Sequence, residues 1–343
     1  MAVTASIIDT PRLATFVRQA GEPGRPVVVL VHGNVSSSLF FEDLMEELAD
    51  DFHVIAPDFR GFGGSERKAI DATRGMRDFS DDLDALVETM GLATPLHLLG
   101  WSAGGGVVMQ YALDRPEHVA SIVLESGMSP YGFGGTKDVA GTPVTDDYAG
   151  SGGGTANPNF VESLRRKDAS EDPAGARATM RSFYVGDGFT FDPETEDRYV
   201  EAMLEMAVGD DVYPGDMTPS DNWPGVAPGT TGMNNAISPK YLDLSAFGDL
   251  SPAPPVLWIR GDSDQIVSDT SVFDFAYLGQ LGAVPGWPGP DACPPQPMVS
   301  QLRAVLERGG NYRESVYETC GHSPHLEKPE RFTADVRSWF SSS

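Results

Sequence analysis

The hydrophobic pattern of the chain is set by residues 26–32, PVVVLVH, an unbroken β-branched run that stops at Gly33. A run with no polar alternation is the mark of a strand buried on both faces, and it is far shorter than the ~18 apolar residues of a membrane span. Residues 39–49 follow with Phe40, Leu44 and Leu48 at four-residue spacing, which predicts a helix. A second strand at 52–57 ends in the glycine-rich turn DFRGFGGS at 58–65. Helical spacing resumes over 78–90 (Phe79, Leu83, Leu86, Val87, Met90) and stops at Gly91. A third strand at 96–99, a helix at 104–113 and a fourth strand at 119–124 complete the run. Strands and helices alternating at this spacing predict right-handed crossovers, and so an α/β fold with a mostly parallel sheet and helices on both faces.

The rhythm breaks at residue 129. Up to about residue 250 the chain is rich in Gly, Pro, Asp and Met, with amphipathic stretches at 159–166, 174–185 and 193–208. It then resumes with a strand at 255–260, a helix at 298–308, a strand at 312–318 and a closing helix at 329–340. A loop of that length without structure of its own is improbable in a compact domain. The expected organisation is therefore a core formed by 1–128 and 251–343, interrupted by a mainly helical lid over 129–250. A second, Pro/Gly-rich insertion spans 282–297 and carries Cys293. There are no internal repeats.

Composition narrows the function classes. Among 343 residues, 24 Lys+Arg against 50 Asp+Glu give a net charge of −26, which argues against nucleic acid or an anionic membrane as partner. Cys293 and Cys320 are the only cysteines, too few for a disulfide framework or a CxxC metal site. The first residues lack a basic segment followed by an apolar stretch, so the chain reads as soluble and cytoplasmic; the sequence leaves monomer and homodimer both open. No dinucleotide-binding G-x-G-x-x-G follows the first strand, no P-loop lysine motif occurs, and no His/Cys/Asp cluster has metal spacing. No cofactor and no metal are expected.

The chemistry centres on Gly100-Trp101-Ser102-Ala103-Gly104, between a predicted strand and a predicted helix. A G-x-S-x-G turn in that context forces the serine into a strained conformation that exposes its hydroxyl, and the glycines make room for neighbouring backbone. A serine hydroxyl needs a base to take its proton, and the base needs an acid to fix its tautomer. Of the six histidines, His53 and His97 fall in strands, His118 precedes one, and His32 braces the loop after the first central strand. His322 follows the last strand in TCGHSPHLEKPE and is the favoured base, with His325 as its rival. For the acid, Asp264 in RGDSDQIV is favoured over Asp262 in the same turn, and Glu125, at the end of the strand after the nucleophile, is the outside candidate. Cys320 reads as a packed thiol.

At these residues the chain resembles the α/β-hydrolase fold family, of the lid-bearing serine esterase and C–C hydrolase type. The matching stretches are His32-Gly33-Asn34, the DFRGFGGS turn, the GWSAG turn, GDSD at 261–264 and Gly321-His322, whereas the lid matches nothing recognisable. The resemblance implies Ser102 as nucleophile, Asp264 as orienting acid, His322 as base, and the backbone N–H groups of Asn34 and Ala103 as the oxyanion hole. Asp58 and Arg60 read as loop struts rather than catalysts. Haloalkane dehalogenases and epoxide hydrolases share the fold but place aspartate at the turn, which Ser102 cannot replace. The expected substrate is a medium-sized, largely apolar small-molecule ester or lactone, bound near Trp101, Phe40, Tyr131 and Phe183. The alternatives are a C–C bond hydrolase of ring-cleavage diketones and a non-catalytic small-molecule receptor.

Overall fold

The computed structural model describes residues 2–343. Eight strands form the central sheet: β1 (Thr4–Asp9), β2 (Ala14–Ala20), β3 (Val27–Val31), β4 (His53–Pro57), β5 (Leu96–Trp101), β6 (Val119–Glu125), β7 (Val256–Gly261) and β8 (Tyr312–Tyr317). Their spatial order is β1-β2-β4-β3-β5-β6-β7-β8. The pairs β1–β2 and β2–β4 are antiparallel and every other neighbouring pair is parallel. All residues of β3, β4 and β5 are buried, as unbroken apolar runs at the centre of a parallel sheet require.

Helices cover both faces, and β5 separates them by its alternation. His97 and Trp101 point to one side, where they meet Phe340 and Phe41. That side is covered by α1 (Glu42–Leu48) packed on the closing helix Pro329–Ser342. Gly100 points to the other side, beneath α3 (Ala103–Asp114), which packs on α2 (Arg77–Met90). No helix among the described residues is long and apolar enough to cross a membrane.

Three elements differ from the sequence expectation. The strand β1, TASIID, lacks a readable pattern because it is an exposed edge strand with no buried face to enforce alternation, and it pairs with β2 in a hairpin the sequence reading does not place. The helix expected over 39–49 starts as a 3-10 turn, Ser38–Phe41, capped by the Ser37 hydroxyl, before α1 begins. Residues 129–250 are less helical than expected. They hold helices Pro158–Arg165, Ala176–Thr179, Pro193–Leu204 and Met233–Ala236, a π-helical turn Met180–Tyr184, and two short strand pairs. Part of the acidic excess is bound internally: buried Arg60 pairs with Asp82 at 2.7 Å and Asp78 at 3.0 Å. Asp58 accepts from Ser38 N–H at 2.7 Å and Gly64 N–H at 2.9 Å, so both residues of the DFRGFGGS turn act as struts.

Candidate active site

Ser102 joins β5 to α3 with φ 56° and ψ −119°, a region costly for any residue with a Cβ. The turn is possible only because its neighbours are glycines. A Cβ on Gly100 would lie 2.4 Å from the Gly104 carbonyl oxygen, and one on Gly104 would lie 2.1 Å from that of Val31. The serine is left partly exposed at the N-terminus of α3, where the helix dipole favours developing negative charge. Ala103 N–H heads that helix. Gly33 lies against the turn, since a Cβ built on it would fall 3.0 Å from Ser102 Cβ and 3.6 Å from its Oγ.

The direction of the Asn34 N–H follows from what holds Gly33. His32 Nε2 can only accept from Phe59 N–H at 3.0 Å, so its proton is on Nδ1, which donates to Gly33 O at 2.8 Å. Burial outweighs the nearby Asp58 carboxylate and holds His32 below the ordinary imidazole range, consistent with this neutral tautomer. Ser36 Oγ–H donates to the same carbonyl at 2.9 Å. In a trans peptide C=O and N–H point opposite ways, so anchoring Gly33 O aims the Asn34 N–H away from His32. His32 is thus a brace.

The structure brings His322 and Asp264 together. His322 Nδ1 lies 2.8 Å from Asp264 Oδ2, with only 2% and 8% of the two residues exposed. Asp264 Oδ1 accepts from Ile266 N–H at 2.8 Å and Val267 N–H at 3.0 Å, so every carboxylate oxygen is engaged. With Nδ1 donating to Asp264, the lone pair of the ring is on Nε2. Asp262, by contrast, is exposed. No hydrogen bond joins Ser102 Oγ to His322 among the described residues. Trp101 links them instead: its indole N–H donates to His322 O at 2.9 Å, and the two rings lie 5.8 Å apart.

Glu125 and His325 are joined to each other. Glu125 Oε1 accepts from His325 N–H at 2.8 Å and faces its Nδ1 at 2.7 Å, both residues lying in the interior. His325 packs edge-on to Trp101, with Phe41 and Phe332 around it. The two histidines therefore belong to separate pairs, His322 with Asp264 and His325 with Glu125.

The four expected pocket residues scatter. Trp101 and Phe40 are each 1% exposed and pack in one aromatic layer, with Phe40 stacked on Tyr199 at 4.5 Å. Phe183 packs on Phe273 at 5.0 Å, and Tyr131 lies over Gly141. Phe40 and Trp101 are therefore part of the packed interior beside the Ser102 turn. The residue that does reach the site from the insertion is Tyr184, whose Oη–H donates to Val35 O at 2.9 Å and Asn34 O at 3.2 Å. Burial pushes its phenol far above the usual range, so the hydroxyl keeps its proton. Asn34 Nδ2 also donates to Asn234 of the insertion at 3.0 Å. Nothing in the sequence marks Tyr184 among the many aromatics of that segment.

Residues 26–167 match the family model described as alpha/beta hydrolase fold. A rice protein (Oryza sativa subsp. japonica) described as a probable 1-acylglycerol-3-phosphate O-acyltransferase is 37% identical over 130 residues, 36% of this chain and 30% of that one. Epoxide hydrolase A of Mycobacterium tuberculosis is 34% identical over 126 residues, 36% of this chain and 39% of that one. The chain thus matches well under half the length of these curated relatives. Among solved structures, a carboxylesterase of Bacillus subtilis superposes with a TM-score of 0.61 at 17% identity, over 100% of this chain and 93% of that one.

Proposed function

The chain is an α/β-hydrolase fold protein, and from that premise we infer that it is a serine hydrolase cleaving a carboxylic ester or lactone of a largely apolar small molecule. What supports the reading above all is one arrangement: a buried His322–Asp264 pair tied through Trp101 to a strained serine. Asp264 fixes the tautomer of His322, so Nε2 takes the Ser102 proton as Oγ attacks the substrate carbonyl. The resulting oxyanion is held by Asn34 N–H and Ala103 N–H, two donors at a loop and a helix start beside the serine. His322 then returns the proton to the leaving alkoxide as the C–O bond breaks, leaving an acyl group on Ser102. Water, deprotonated by His322, attacks that ester, and release of the carboxylic acid restores the serine.

The serine also separates this chain from the epoxide hydrolase it is similar to. Opening an epoxide by the shared route needs an aspartate carboxylate to form an alkyl ester, whereas a serine hydroxyl acts on an acyl donor. The substrate class is tested by steady-state turnover on a panel of p-nitrophenyl esters, lactones and a vinylogous diketone. Turnover of esters or lactones with none of the diketone is the expected result. Diketone cleavage alone would move the protein to C–C bond hydrolysis, and turnover of none of the panel would remove the hydrolase reading.

A further inference from the structure

Residues 184–186 of the insertion lie between the two loops that carry the proposed machinery. At one end, Tyr184 closes the π-helical turn Met180–Tyr184 and its hydroxyl holds the carbonyls of Asn34 and Val35. Val35 sits at φ 50°, a conformation that needs outside support in a β-branched residue. At the other end, Gly186 N–H donates to Glu327 Oε2 at 2.8 Å. Glu327 Oε1 accepts from Gly321 N–H at 2.7 Å and from the Cys320 thiol at 3.4 Å, immediately before His322 in the chain. Between these ends the backbones touch: a Cβ on Gly321 would fall 2.5 Å from the Val185 carbonyl carbon.

A π turn absorbs one extra residue and re-aims the chain that follows, which is how Tyr184 and Gly186 come to face two different loops. Glu327 is only 8% exposed, and both its oxygens accept backbone N–H groups, so no water can replace either bond without opening the contact. The oxyanion loop and the base loop come from opposite ends of the sequence, after β3 and after β8. The strap connects them directly.

The geometry points to Tyr184 and Glu327 as positioning residues, a strap at 184–186 coupling the oxyanion loop to the base loop. This rests on the serine-hydrolase reading and extends it: the insertion becomes part of what holds Asn34 and His322 at their working separation. Neither side chain hydrogen-bonds a reacting atom, and the edge-on packing of the Tyr184 ring on the His322 ring, 6.3 Å between centroids, is kept in Tyr184→Phe. Both act through the backbone they hold, so their loss should appear in kcat and leave substrate binding nearly intact.

The test combines kinetics on p-nitrophenyl butyrate with hydrogen–deuterium exchange of the apoprotein. Tyr184→Phe removes the hydroxyl but keeps the ring, and Glu327→Gln replaces one acceptor oxygen by an amide that cannot accept. Each should lower kcat about tenfold, the worth of one buried hydrogen bond, with KM within about twofold of wild type. Because both act through one strap, the double variant should lose much less than the product of the two single losses. Exchange gives the decisive readout: Glu327→Gln should speed exchange at 33–37, which it does not touch, and Tyr184→Phe should speed it at 319–323. Exchange confined to each variant's own loop, or kcat losses that multiply in the double variant, would overturn the coupling. A wild type that turns over none of the esters, lactones or the diketone would instead remove the hydrolase reading, while the exchange experiment would still decide the strap.

Discussion

Ser102→Ala should reduce kcat by roughly 10⁴–10⁶-fold with the fold intact, as nucleophile deletions do elsewhere. The prediction follows from the place of the hydroxyl in the account. Without Oγ no acyl-enzyme can form, and only the oxyanion donors and binding remain to accelerate direct attack by water. Alanine is also a fair substitution structurally. It keeps the Cβ, which already tolerates φ 56°, and the Ser102 N–H bond to Glu125 O at 2.9 Å is unaffected. Circular dichroism and melting temperature should therefore match wild type. Turnover within tenfold of wild type by a homogeneous preparation would refute the nucleophile assignment.

The second large effect discriminates between two carboxylates that the sequence left in competition. Asp264→Asn should cost about 10⁴-fold in kcat, because an amide facing Nδ1 favours the tautomer that protonates Nε2 and removes the base. Glu125→Gln should change kcat by less than about tenfold, since its carboxylate serves His325 rather than His322. Its cost belongs to stability: Glu125 is wholly buried, and disturbing a pair of that kind typically costs about 1–3 kcal/mol. Parallel kcat measurements and denaturant titrations on both variants check this. The reverse ranking would transfer the acid role to Glu125.

The parts of this protein that were legible in the sequence are those where burial enforces a pattern. β3 reads as a strand because both its faces are covered, and the G-x-S-x-G turn reads as an elbow because backbone crowding tolerates only glycine at 100 and 104. The edge strand β1 was illegible for the converse reason, having no buried face. His322 and Asp264 could be singled out because each follows a strand at the same edge of the sheet, yet sequence gave no means of deciding where His325 and Glu125 would go. Their pairing depends on a distance between β6 and a turn 200 residues later, which no local rule encodes. Tyr184 stands in the sequence as one of several lid aromatics that could line a pocket, and no local rule says which of them reaches the loop after β3. Phe40 and Trp101 lie near the serine in sequence or across the sheet, and proximity suggested a pocket wall. Their near-complete burial puts them in the packed interior instead.

The most direct test is intact-protein mass spectrometry after treatment with a serine-directed fluorophosphonate, followed by peptide mapping. The account predicts a single adduct on the peptide containing Ser102, formed rapidly by wild type and only sluggishly by His322→Ala. No adduct under conditions that label a known serine hydrolase, or an adduct mapping to any other residue, would contradict it.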